Sequence, residues 1–153
     1  MLMKNKTLSV WLALMGGPLG LHRFYLFGKA DALGWLLPIP TALGLYGVMR
    51  ARTLGLDDHW SWVLIPLVGF TIAACALNAI VYGLATCENW NVRFNATPVD
   101  EQDQPAAGQT GWLTVLALVL GLLMGTTALI GSLAFSFQRY FEWQVELARQ
   151  ISQ

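Results

Sequence analysis

Two uninterrupted runs without a charged side chain, residues 60–87 and 111–138, decide most of what this chain can fold into. A helix needs about 20 apolar residues to cross the hydrocarbon core of a bilayer, and each run exceeds that. Inside lipid a segment must satisfy its own backbone hydrogen bonds, so each run is expected to be a transmembrane helix. Composition agrees. The 153 residues are 56% hydrophobic and 12% charged, with mean hydropathy +0.52, against about 25% charged residues in soluble domains. The length suits one domain, and the nine basic residues are balanced by nine acidic ones, so no basic excess points to nucleic acid.

A third uncharged run, 32–49, lies at the lower limit of length and contains Pro38 and Pro40, each lacking a backbone donor. A fourth segment, 7–21, is shorter still and ends in Gly16, Gly17, Pro18 and Gly20. Lys4 and Lys6 before an apolar run resemble a signal peptide, but no small-x-small cleavage site follows Met15. The segment therefore reads as a retained helix that breaks near the interface, with His22 and Arg23 at headgroup level. The expectation is an all-α polytopic membrane protein. It has about four membrane segments: a hairpin over 4–50, a third helix over 60–87 and a fourth over 111–138. A hydrophilic acidic loop over 88–110 joins the last two, and an amphipathic helix over 139–153 follows.

With four spans, Lys4, Lys6, Arg50, Arg52, Arg139 and Arg149 share one side, and Arg23, Lys29 and Arg93 the other. Six against three puts both termini in the cytoplasm. In the acidic loop, residues 98–109 read as a connector and 88–97, with Trp90 and Phe94, as an interfacial segment. Asn95-Ala96-Thr97 is a formal glycosylation sequon, a triplet that arises often by chance. In the tail, Tyr140, Phe141, Trp143, Val145, Leu147, Ala148 and Ile151 fall on one arc, and Glu142, Glu146, Arg149 and Gln150 on the other. Such a helix suits a membrane surface or a partner.

Close backbone approach, more than apolar burial, holds helices together in lipid. The third span carries Gly69, Ala73, Ala76 and Gly83, and the fourth Gly121, Gly125, Ala128 and Ser132. These stripes are expected to pack on each other; the alternative is self-association through Gly121 and Gly125. Cys75 and Cys87 are twelve residues apart, roughly 18 Å along one helix, too far for a disulfide.

Catalysis needs converging titratable groups, and the long uncharged runs hold no carboxylate, lysine, arginine or histidine. No cofactor is implied. Asp57, Asp58 and His59 lack a further ligand at metal spacing and read as a loop that caps the third helix. A passive channel or transporter would have to use Thr71, Asn78 and Thr126.

One cluster is richer. Gly17, Gly20, His22, Arg23, Phe24, Tyr25 and Leu26 combine a glycine-rich turn with a basic pair and aromatics, and Gly28 follows. This order resembles the two-transmembrane (TM-2) domain family, whose bacterial members are also called NINE proteins. The chain departs from the family pattern at Phe27, which moves the next glycine to Gly28. The resemblance covers about a third of the chain. It implies a bacterial inner-membrane module without enzymatic activity, whose motif lies between two membrane helices. On that basis the expected function is an interaction or accessory module. Arg23 would meet a lipid phosphate or an acidic site on another membrane protein, with Phe24 and Tyr25 setting its depth.

Overall fold

A computed structural model describes residues 3–95 and 106–152. Every regular element among them is helical: α1 (Lys6–Gly16), α2 (Leu21–Phe27), α3 (Ala32–Leu36), α4 (Pro38–Leu54), α5 (His59–Leu84), α6 (Cys87–Trp90) and α7 (Trp112–Ile151). Three helical stretches are long and apolar enough to cross a membrane: Ala32–Leu54, His59–Leu84 and Trp112–Ile151. The chain is a helical membrane protein on that ground. The proline pair divides the first of these at Leu37, with Pro38 opening α4.

The fourth expected crossing is not among them. Segment 7–21 is split between α1, a one-turn 3-10 helix at Gly17–Leu19, and the start of α2. At 11 residues, α1 is about 16 Å long. Asn5 starts it by accepting from the Leu8 amide at 3.2 Å. Gly20 ends the turn with a φ of 75°, a conformation that costs an L side chain roughly 1–2 kcal/mol. The chain then comes back beside itself. The Asn5 amide donates to the Tyr25 hydroxyl at 2.9 Å, and the Lys4 ammonium donates to the Leu26 carbonyl. The motif is therefore the returning arm of a short helical hairpin.

Helix α5 is the spine. At one end the Lys6 ammonium donates to the Ala85 carbonyl at 2.8 Å and to the Thr110 hydroxyl at 2.5 Å. Partway along, a Cβ on Gly17 would stand 2.5 Å from that of Cys75. Cys75 lies ten residues before Ala85, about 15 Å along the helix. The hairpin tip thus lies about 15 Å along α5 from that end, against roughly 30 Å for a full hydrocarbon core. Gly44 and Gly47 of α4 lie against Val68 and Leu64. The small-residue stripes of α5 and α7 meet as expected: Gly125 faces Ala76, and Gly69 faces Ala128 and Ser132. Gly121 and Gly125 are buried against α5.

The Lys4 and Arg139 regions lie at opposite ends of the bundle. The Lys4 amide donates to Asn95 at 2.7 Å, and the Trp90 indole donates to the Lys4 carbonyl at 2.9 Å. The tail leaves from the other end, where Arg139 borders the same groove as His59. That tail is helical but undocked: it continues α7 without a break, and every residue from Phe141 to Ile151 is exposed. In the 88–95 stretch Trp90 and Asn91 are buried and Phe94 and Asn95 half-buried, while Glu88, Asn89, Val92 and Arg93 are exposed. Ala96, Thr97 and most of the acidic connector lie outside the described residues.

Candidate functional site

The motif residues sit in one place, and most of their polar capacity is used inside the fold. Arg23 pairs with Asp31 through Nε at 2.5 Å and Nη2 at 3.1 Å, and its guanidinium lies 4.8 Å over the Phe27 ring. Asp31 also caps α3, accepting from the Gly34 amide at 2.8 Å. Phe24 stacks on Trp35 at 5.2 Å, over Gly34. Leu26 joins the core with Val10, Ala13, Ala79 and Tyr82. His22 is fully buried 6.1 Å from the Tyr82 ring, and neither ring nitrogen has a hydrogen-bond partner. Tyr82, Trp90 and Phe94 close the cluster at centroid distances of 4.5 to 6.2 Å. The expected reach of Arg23 to a lipid phosphate is therefore limited by a carboxylate of its own chain. Its first role is to brace the turn.

A second copy of that brace explains why. Gly17, Gly20, Arg23, Gly28, Asp31 and Trp35 recur 27 positions on as Gly44, Gly47, Arg50, Gly55, Asp58 and Trp62. The bonds recur with them. Arg50 Nε and Nη2 both meet Asp58 at 2.8 Å. Gly28 and Gly55 have φ of 88° and 91°, and their amides return to Phe24 and Ala51 carbonyls at 3.0 and 3.1 Å. Asp58 caps α5 at the Ser61 amide, as Asp31 caps α3 at Gly34. The Trp35 indole donates to the Lys29 carbonyl at 2.9 Å and the Trp62 indole to the Leu56 carbonyl at 2.6 Å.

One turn joins α2 to α3 at the hairpin end, and the other joins α4 to α5 at the opposite end. Arginine, glycine, aspartate and tryptophan therefore make a turn at either end of the bundle. What distinguishes the first copy is His22, Phe24 and Tyr25 where the second has Met49, Ala51 and Arg52. Sequence reading took Asp58 correctly as a cap but missed its arginine partner, the whole Arg23–Asp31 pair and the buried Lys6. The 27-residue recurrence was the available signal.

Both carboxylates are held below the usual aspartate range, first by the bonded guanidinium and, against the desolvation that opposes it, by the capped amide; the Ser61 hydroxyl adds to this at Asp58. A carboxylate whose pKa is lower folded than unfolded stabilises the fold above the unfolded value, near 3.9, and loses that contribution as pH falls through the folded value. In detergent the melting temperature is expected to be flat from pH 8 to about 5 and to drop below about pH 4. Asp58→Asn should lower the plateau and flatten part of the drop, as followed by circular dichroism. A wild-type plateau that runs on to pH 2 would contradict this.

The residues a conducting path would use stand in different surroundings. Thr71 is buried and donates to the Leu67 carbonyl of its own helix at 2.7 Å, whereas Asn78 is half-buried and Thr126 is exposed on α7. Comparison with known proteins adds no relative. No family model, curated protein or solved structure matches the chain.

Proposed function

We propose that this chain is a non-enzymatic membrane accessory module of the TM-2 type, resident in a bacterial inner membrane. It meets lipid headgroups or a partner membrane protein at the hairpin end of the bundle. The observation that carries this reading is a basic and aromatic collar. Lys4, Lys6 and Arg23 are engaged within the fold, while Lys29 and Arg93 stay exposed. Beside them Phe27 and Trp35 are 45% and 65% exposed. Arg23 over Phe27, Phe27 against Phe94, and Arg93 over Phe94 form one continuous cation–aromatic ladder, with separations of 4.8, 5.9 and 5.3 Å. Exposed cations among interfacial aromatics attract anionic headgroups or acidic partner surfaces. Tyr25 and Phe24 support the collar from within, since Tyr25 pins α1 and Phe24 seats Trp35.

On this reading the chain crosses three times, and the hairpin enters the bilayer and returns. The two ends then face opposite compartments. Lys4, Lys6, Arg23, Lys29 and Arg93 lie on one face, and Arg50, Arg52, Arg139 and Arg149 on the other. Five against four replaces six against three, so charge no longer favours a cytoplasmic location for both ends.

In-cell photo-crosslinking from position 35 tests the reading. Wild type is expected to capture a defined phospholipid or membrane protein. Lys29→Glu combined with Arg93→Glu is expected to cut the yield about ten-fold, the equivalent of one charge-assisted contact. A capture pattern that ignores the double substitution would remove the collar as the contact surface.

A further inference from the structure

A long groove runs down the outer seam of α5 and α7, at the far end of the bundle from the collar. Its upper part has a volume of about 570 Å³. A lower part of about 380 Å³ continues it, and Phe70 lines both. The lining positions follow helical spacing on each helix, through Trp62, Pro66 and Phe70 on one side and Ser136 and Trp143 on the other. From Phe70 to His59 is eleven residues, about 16 Å, close to one leaflet of a ~30 Å hydrocarbon core.

The groove is apolar along its length and carries a guanidinium, paired with Glu142, at its mouth. Arg139 stands there beside His59, whose ring lies 4.3 Å from that of Trp62. The Arg139 guanidinium is only partly engaged: Nη1 meets Glu142 at 2.8 Å, while Nε is buried with no acceptor. A small turn of this side chain toward the mouth would exchange an unsatisfied donor for a bond to an anion. The second Arg–Gly–Asp–Trp turn builds the rim, since Asp58 starts α5 and the Leu56 carbonyl holds the Trp62 indole.

We infer that this groove is a binding site for one anionic glycerophospholipid, its acyl chain lying between α5 and α7 and its phosphate at Arg139. The groove lines helices that cross the membrane, so lipid is its immediate surroundings. A chain-length apolar slot with a guanidinium at headgroup level is complementary to that amphiphile in both shape and charge.

Native mass spectrometry of the full chain in mild detergent tests this, with phosphatidylglycerol or phosphatidylcholine of the same acyl chains added. Wild type is expected to retain one phosphatidylglycerol and to hold phosphatidylcholine more weakly. Arg139→Gln should weaken retention of phosphatidylglycerol about ten-fold, and Val63→Trp, which fills the slot, should do the same with Arg139 intact. Arg52→Gln, an exposed cation at the same end of the bundle but outside the groove lining, should change nothing, which separates the site from general surface charge. Equal retention by wild type and both groove variants would overturn the inference. So would equal retention of the two lipids, or a dimer that excludes lipid from the seam.

Discussion

Gly20→Ala is expected to lower the melting temperature of the detergent-solubilised chain by roughly 10 °C, about 3 kcal/mol for a chain of this size. Two costs combine. The positive φ at position 20 penalises any Cβ by about 1–2 kcal/mol. That Cβ would also run into the Gly34 carbonyl and Cα of α3, and relieving an overpacked contact typically costs about 1–3 kcal/mol. The neighbour cannot yield easily, because it is backbone at the start of a crossing stretch capped by Asp31. Gly131→Ala is the control, since a Cβ there meets nothing within 4 Å. Melts of the two variants in one detergent decide the matter: if Gly20→Ala behaves like Gly131→Ala, the hairpin does not turn against α3 as described.

Lys6→Met is expected to destabilise the chain by about 2–3 kcal/mol, the range for losing hydrogen bonds to a buried charge. The Lys6 side chain is fully buried and serves two acceptors. One of them, the Ala85 carbonyl, lies at the C-terminal end of α5, where a cation also complements the helix dipole. Methionine conserves length and apolar stem but leaves the Ala85 carbonyl and the Thr110 hydroxyl without that donor. The loss is partly offset because no charge then has to be desolvated. Arginine at the same position keeps the charge in a larger head and should fall between the two. Chemical or thermal unfolding of all three proteins measures the ordering, and a Lys6→Met variant as stable as wild type would show that the ammonium does not join α1 to α5.

The parts of this architecture that were legible in the sequence are those set by composition over a whole helix. The uncharged runs announced α5 and the membrane part of α7, and the small-residue spacing announced how they pair. Residues 7–21 were harder because apolar content is the same in a helix that crosses and in one that turns back. The decision rests on Gly20 finding room only beside Gly34 and on Tyr25 reaching Asn5, contacts with no periodic trace. Lys6 was read only as a count in the charge balance, since burial of a lysine depends on acceptors brought from positions 85 and 110. The motif itself was visible, but the contacts its side chains make within the fold were not. Arg23 is also a matched half of an ion pair whose duplicate sits at Arg50.

That duplication bears on how such a chain enters a bilayer. The same turn is laid down twice at opposite ends of the bundle, so in the three-crossing arrangement proposed above each leaflet would receive one copy. Its arginine is thereby spent equally on both faces and weighs nothing in the choice between inward and outward insertion. The choice falls to the handful of cations outside the repeat, Lys4, Lys6, Lys29 and Arg93 against Arg52, Arg139 and Arg149. A scaffold built from a direction-neutral joint can have its sidedness rewritten by one or two surface substitutions, with no residue of the bundle interior disturbed.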